Sequence, residues 1–139
     1  MGEFMKWVLM AFEQPYQGAD KPELYERFQN FLLQQYASGF RTALIVDEAQ
    51  NLNVSSLEEL RMLSNINYGK HSLLQLVLVG QTELLDKLKQ PELRQLAQRV
   101  CVDYHLQALN LQDTVNYIKH RLLVAGREET LFDTFSIAT

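Results

Sequence analysis

A chain of 139 residues in which 47% are hydrophobic is long enough to bury one core and short for two ordinary domains. With a formal charge of −4 and acidic and basic residues mixed along the chain, nothing resembles the basic face on which non-specific nucleic-acid binding depends, so a nucleic-acid partner is unsupported. No apolar run approaches the ~20 residues of a membrane-spanning helix and no secretory signal opens the chain, so a soluble, cytoplasmic protein is expected.

Residues 1–4, Met-Gly-Glu-Phe, read as a vector remnant before a second start at Met5. From Lys6 to Glu13 the residues are mostly apolar and predict a buried helix that Gln14-Pro15 ends. Asp20 then caps a second helix, on which Leu24, Phe28, Phe31 and Leu32 recur at helical spacing up to Gly39. Thr42 to Val46 is a short β-branched and apolar run, the pattern of a parallel strand covered on both faces, and it ends in Asp47-Glu48. Ser55 and Glu58 have the spacing of a capping box for a helix carrying Leu57, Leu60, Leu63 and Ile66, ending near Gly69. A second buried strand is expected from Leu73 to Val79, running into Gly80-Gln81-Thr82. Pro91 suits the first turn of a short helix with Leu93 and Leu96. Val100, Val102 and Tyr104 alternate as in a third strand, with Cys101 expected to be a buried, reduced thiol. The last element is a helix from about Leu111 to Val124. Strands alternating with helices indicate an α/β fold with a mostly parallel sheet.

An apolar strand ending in adjacent carboxylates is one way a nucleotide hydrolase presents an acidic pair at the carboxyl edge of its sheet. In that arrangement Asp47 holds Mg²⁺ through water and Glu48 orients and polarises the attacking water. Such a pair also serves as a plain helix cap or a solvated loop charge. The second strand ends in Gln81 and Thr82, which a parallel sheet brings to the same edge, where one of them can contact a γ-phosphate or the water. His71, His105 and His120 show no metal-ligand spacing with one another or with Cys101, so no metal other than Mg²⁺ is expected.

Three segments in order carry a family resemblance: Leu-Ile-Val-Asp-Glu-Ala-Gln-Asn-Leu from Leu44 to Leu52, Leu-Val-Leu-Val-Gly-Gln-Thr-Glu-Leu from Leu76 to Leu84, and Pro-Glu-Leu-Arg-Gln-Leu-Ala-Gln-Arg from Pro91 to Arg99. From about Lys6 to Gly126 the chain resembles the AAA+ ATPases of the general secretion pathway protein A type, which have relatives in pilus biogenesis and transposition. The resemblance implies a P-loop NTPase core, a three-layer sandwich, over residues 5–107, and the start of a helical lid over residues 108–139. It makes Asp47 and Glu48 the Walker B pair, Gln81 the sensor-1 residue, and Arg94 or Arg99 an arginine finger offered to a neighbouring subunit. The family often has a further arginine where this chain has Ala97, and usually proline where it has Thr82.

No Gly-x-x-x-x-Gly-Lys-Ser/Thr loop occurs, so the amides and lysine that grip the β- and γ-phosphates are missing. In the family that loop follows the first strand, so the chain reads as a truncated ATPase. Mg-ATP is the cofactor implied for the intact parent, with none bound and no turnover by this chain alone. The missing strand would leave an apolar edge between the second and third predicted strands, which a second copy or a rearranged segment is expected to cover, as a dimer or exchanged oligomer. Partners are then proteins of a secretion, pilus or mobile-element system. Two other functions are open: a non-catalytic interaction module, between which and the ATPase fragment the sequence does not decide, and a fragment of a superfamily-1 helicase, whose strand also ends in Asp-Glu-Ala-Gln but which leaves the Pro91–Arg99 segment unexplained. The helicase reading lacks the basic and aromatic groove that single strands require.

Overall fold

The computed structural model describes residues 3–127, in which the chain divides after Cys101 into two compact units, each described by itself. In the first unit, helix α1 (Glu3–Ala11) buries Met5, Val8 and Leu9. It already includes Glu3 and Phe4, and Phe4 packs against the core, so the helix starts ahead of the predicted Lys6. It closes when Glu13 turns to φ 56° and the Gln14 N–H bonds the Leu9 carbonyl, a left-handed stop made without glycine.

Helix α2 (Lys21–Ala37) begins as expected: the Asp20 carboxylate accepts the Glu23 N–H at 3.0 Å. Its apolar stripe buries Leu24, Phe28 and Leu32, and Phe28 makes a triangle of rings with Phe12 and Phe31, at 5.4 Å and 6.1 Å between centroids. Gly39, at φ 83°, ends the connection to strand β1 (Thr42–Val46). Helix α3 (Val54–Leu63) is capped by Asn53, whose side chain accepts the Ser56 N–H at 2.8 Å. The predicted Ser55–Glu58 box is therefore not formed. The cap falls on Asn53, two residues earlier, which puts Ser55 inside the helix, and Glu58 pairs with Arg61 at 2.8 Å.

That helix stops at Leu63, well before Gly69. The residues between make a small hairpin that the periodicity missed, with β2 (Asn67–Tyr68) antiparallel to β3 (His71–Ser72) around Gly69 at φ 59°. Strand β4 (Leu74–Leu78) then lies parallel to β1, with Thr42 opposite Leu74 and Val46 opposite Leu78. Helix α4 (Glu83–Leu88), a 3-10 turn (Pro91–Leu93) and helix α5 (Arg94–Ala97) follow, and they bury Leu84, Leu93 and Leu96.

One face of the β1–β4 pair, with Leu44 and Leu74, joins the cluster formed by α1, α2 and α3. On the other face Ile45 is 66% exposed and Val77 45%. The three-layer sandwich and the cover on both sides are thus not present among the described residues. Alternation of buried and exposed positions along β1 gives the half-covered pattern of a two-layer unit. The third predicted strand is also absent: residues 100–110 form no regular element, and Val102, Tyr104 and Leu106 are at least 77% exposed. An alternating segment becomes a strand only where another strand supplies its hydrogen bonds, and none pairs with it among the described residues. Cys101 lies there exposed instead of buried.

In the second unit, helix α6 (Leu111–Val124) follows the predicted bounds. Asn110 caps it by accepting the Asp113 N–H at 2.9 Å, and Gly126, at φ 80°, closes it. No described helix is long and apolar enough to cross a membrane.

Candidate functional site at the carboxyl edge of the sheet

The parallel pairing of β1 and β4 fixes the site, because it brings the residues after Val46 beside those after Leu78. The ladder runs slightly past both strands: Val79 N–H bonds the Val46 carbonyl at 2.9 Å, and Ala49 N–H bonds the Val79 carbonyl at 2.9 Å. Between those two bonds the chain must turn. Asp47 accepts the Glu48 N–H on its own side chain at 2.8 Å, and Glu48 takes φ 51°, ψ 37°. This is the left-handed region, uncommon for a residue with a Cβ and enriched at functional turns. A 3-10 turn (Ala49–Asn51) follows, anchored by Ala49, which is fully buried.

Asp47, Glu48, Gln81 and Thr82 are all exposed around this edge. Glu48 and Gln81 are joined through a residue that the sequence reading passed over. The Gln50 side-chain amide donates to the Glu48 carboxylate at 2.6 Å, and its oxygen accepts the Gln81 N–H at 3.2 Å. Lys87, from α4, was also missed; its ammonium donates to the Gln50 carbonyl and, at 2.7 Å, to the Leu52 carbonyl. Gln50 lies within the Leu44–Leu52 motif and Lys87 just beyond the Leu76–Leu84 one, but the contacts that join the two turns are made 31 to 37 residues away and leave no local signal. Thr82 precedes α4 without a side-chain cap bond; its hydroxyl reaches only the adjacent Glu83 at 3.5 Å.

Arg94 opens α5 and Arg99 follows it; both are exposed. Neither side chain hydrogen-bonds or ion-pairs with Asp47, Glu48 or Gln81 among the described residues. No cluster of three or more His, Cys, Asp or Glu able to hold a metal occurs among the described residues. One exposed carboxylate with an oxygen left over is the donor set of an outer-sphere Mg²⁺ contact, where waters and phosphates complete the shell, and Asp47 fits that role. It does not fit an all-protein metal cage.

A parallel strand pair packed against helices makes this a mixed α/β unit, and comparison with known proteins narrows the class. A family profile described as "AAA domain" matches residues 1–88, and the chain belongs to that family. The chain is similar to general secretion pathway protein A of Aeromonas hydrophila, with 43% identity over 129 residues, 92% of this chain. It spans 24% of the length of that relative. No solved structure matches.

Proposed function

We propose that the chain is the hydrolysis-side part of a longer AAA+ ATPase that couples ATP hydrolysis to assembly or remodelling of a secretion, pilus or mobile-element system. The observation that carries this reading is the placement of Asp47-Glu48 and Gln81 on adjacent turns at one sheet edge. Mg²⁺ bound with nucleotide would supply charge neutralisation of the phosphates. Asp47 would hold it through water, using the carboxylate oxygen not taken by the Glu48 N–H. Glu48 would accept the hydrogen bond of the attacking water and orient it. Gln81, with Thr82 beside it, would contact the γ-phosphate side of that water. Arg94 and Arg99, exposed and without side-chain ion pairs among the described residues, are free to reach a neighbouring subunit as an arginine finger. An oligomer follows from that role.

This sequence contains no phosphate-gripping loop, and so the 139-residue chain alone does not turn over ATP in this reading. Calorimetry with Mg-ATP on the chain and on Asp47→Ala tests it. No binding heat from either is expected, whereas in the longer protein Asp47→Ala should abolish ATP hydrolysis. Heat from the chain that vanishes in the variant would show that some other segment makes the phosphate contacts. An unaffected hydrolysis rate in the longer protein would remove Asp47 from the site.

A second reading, a non-catalytic interaction module, draws on the uncovered face of the sheet around Ile45 and Val77. Retention of partner binding by a longer protein carrying Asp47→Ala would favour it.

A further inference from the structure

We propose that Gln50 is a positioning residue that couples the Glu48 carboxylate to the backbone of the turn carrying Gln81. The inference rests on the reading of Glu48 as the group that orients water.

The Gln50 amide is used at both ends. Its NH₂ donates to Glu48 Oε2 at 2.6 Å and its oxygen accepts the Gln81 N–H at 3.2 Å. These partners fix the amide orientation, since a flip would set oxygen against carboxylate and NH₂ against N–H. The backbone on either side is held too: the Gln50 carbonyl accepts from Lys87 Nζ, and Ala49 bonds across to Val79. Glu48 itself is exposed on a flexible side chain, so this bond is the contact that restrains its carboxylate. With Oε2 taken by Gln50, Oε1 remains to accept from a water.

A separate feature of the sequence fits the same arrangement. A Cβ built at Gly80 would lie 2.6 Å from Gln50 Oε1, 3.2 Å from Leu84 Cδ2 and 3.4 Å from the Gln50 backbone nitrogen. A glycine is needed here for the close approach of the glutamine amide and not for an unusual backbone angle. Gln50 and Gly80 therefore form one contact between the two turns, and a displacement of the Gln81 turn reaches the Glu48 carboxylate through the Gln50 side chain.

Two variants test this from opposite sides. Gln50→Met keeps the length and volume of the side chain and removes both hydrogen bonds. Gly80→Ala leaves Gln50 in place and pushes its amide away from Gln81. In the 139-residue chain, NMR should show the Gln81 amide exchanging several-fold faster in both variants. The Glu48 side-chain ¹³C resonances should move toward those of an unrestrained glutamate, while the melting temperature stays near that of the parent chain. In the longer protein both variants should lower kcat about 10-fold and leave KM for ATP unchanged, as expected for a group that positions a reacting side chain. Unchanged Gln81 and Glu48 signals in both variants would overturn the coupling itself. A normal kcat with Gln50→Met, in a protein that Asp47→Ala inactivates, would overturn the positioning role and leave the ATPase reading standing. Full activity with Asp47→Ala would instead overturn the ATPase reading, and the positioning role with it.

Discussion

The two faces of the β1–β4 pair are built from neighbouring residues of similar character, yet they differ in what meets them. Leu44 and Leu74 are 8% and 3% exposed and lie in one cluster with α1, α2 and α3, whereas Ile45, the next residue along β1, and Val77, three residues along β4, are 66% and 45% exposed. An apolar run records that a strand can be buried on both sides, and other segments decide whether it is. The carboxyl edge lies between these extremes. It is exposed, but its geometry is fixed by bonds from Gln50 and Lys87 instead of by packing.

Four substitutions separate those regimes. The largest effect belongs to the closed side: Phe28 is fully buried against the Phe12 and Phe31 rings, so Phe28→Ala should cost about 3–5 kcal/mol in denaturant unfolding. A loss below about 1 kcal/mol would mean that the cluster is loosely packed, because a well-packed core cannot give up that volume so cheaply. The edge should respond less. Lys87→Met keeps the aliphatic stem but strips the Gln50 and Leu52 carbonyls of their donor, at roughly 1–3 kcal/mol for charge-assisted bonds in a half-buried setting. Hydrogen exchange should then speed up at the amides of the 3-10 turn and not in α1 or α2. Uniform acceleration throughout the chain would show that Lys87 supports the whole unit and not the turn alone.

Most of the closed side was legible in the sequence, because helical spacing and an Asp20 cap are local signals that tertiary structure did not override. The strands were legible too, with β1 falling on Thr42–Val46. What failed had non-local causes. Alternation at Val100, Val102 and Tyr104 looked like a strand, but a ladder needs a partner that no residue pattern guarantees. The hairpin around Gly69 was hidden because its strands are two residues each, too short for any period to register. At the site, Asp47, Glu48 and Gln81 stood out as polar residues ending apolar runs, and the strand register brings them to one edge. Gln50 and Lys87 carried no such contrast. Their importance lies in contacts across the sheet edge, which only the register defines.

The smallest effect is the one that sharpens the comparison most. Ile45→Thr keeps a β-branched side chain suited to a strand and removes apolar surface that is already in water, so stability should change by less than about 0.5 kcal/mol. Leu44→Ala, on the adjacent residue, should cost about 2–4 kcal/mol, near the range for a buried leucine. Both are measured by urea unfolding at low micromolar concentration. If Ile45→Thr instead cost as much as Leu44→Ala, the open face would be covered in solution. A concentration-dependent midpoint would identify the cover as a second copy, since association adds to apparent stability by mass action. A midpoint independent of concentration would place the cover within the chain itself. The value of the pair is that one residue of sequence separates the two outcomes, so strand position is held nearly constant while burial differs most.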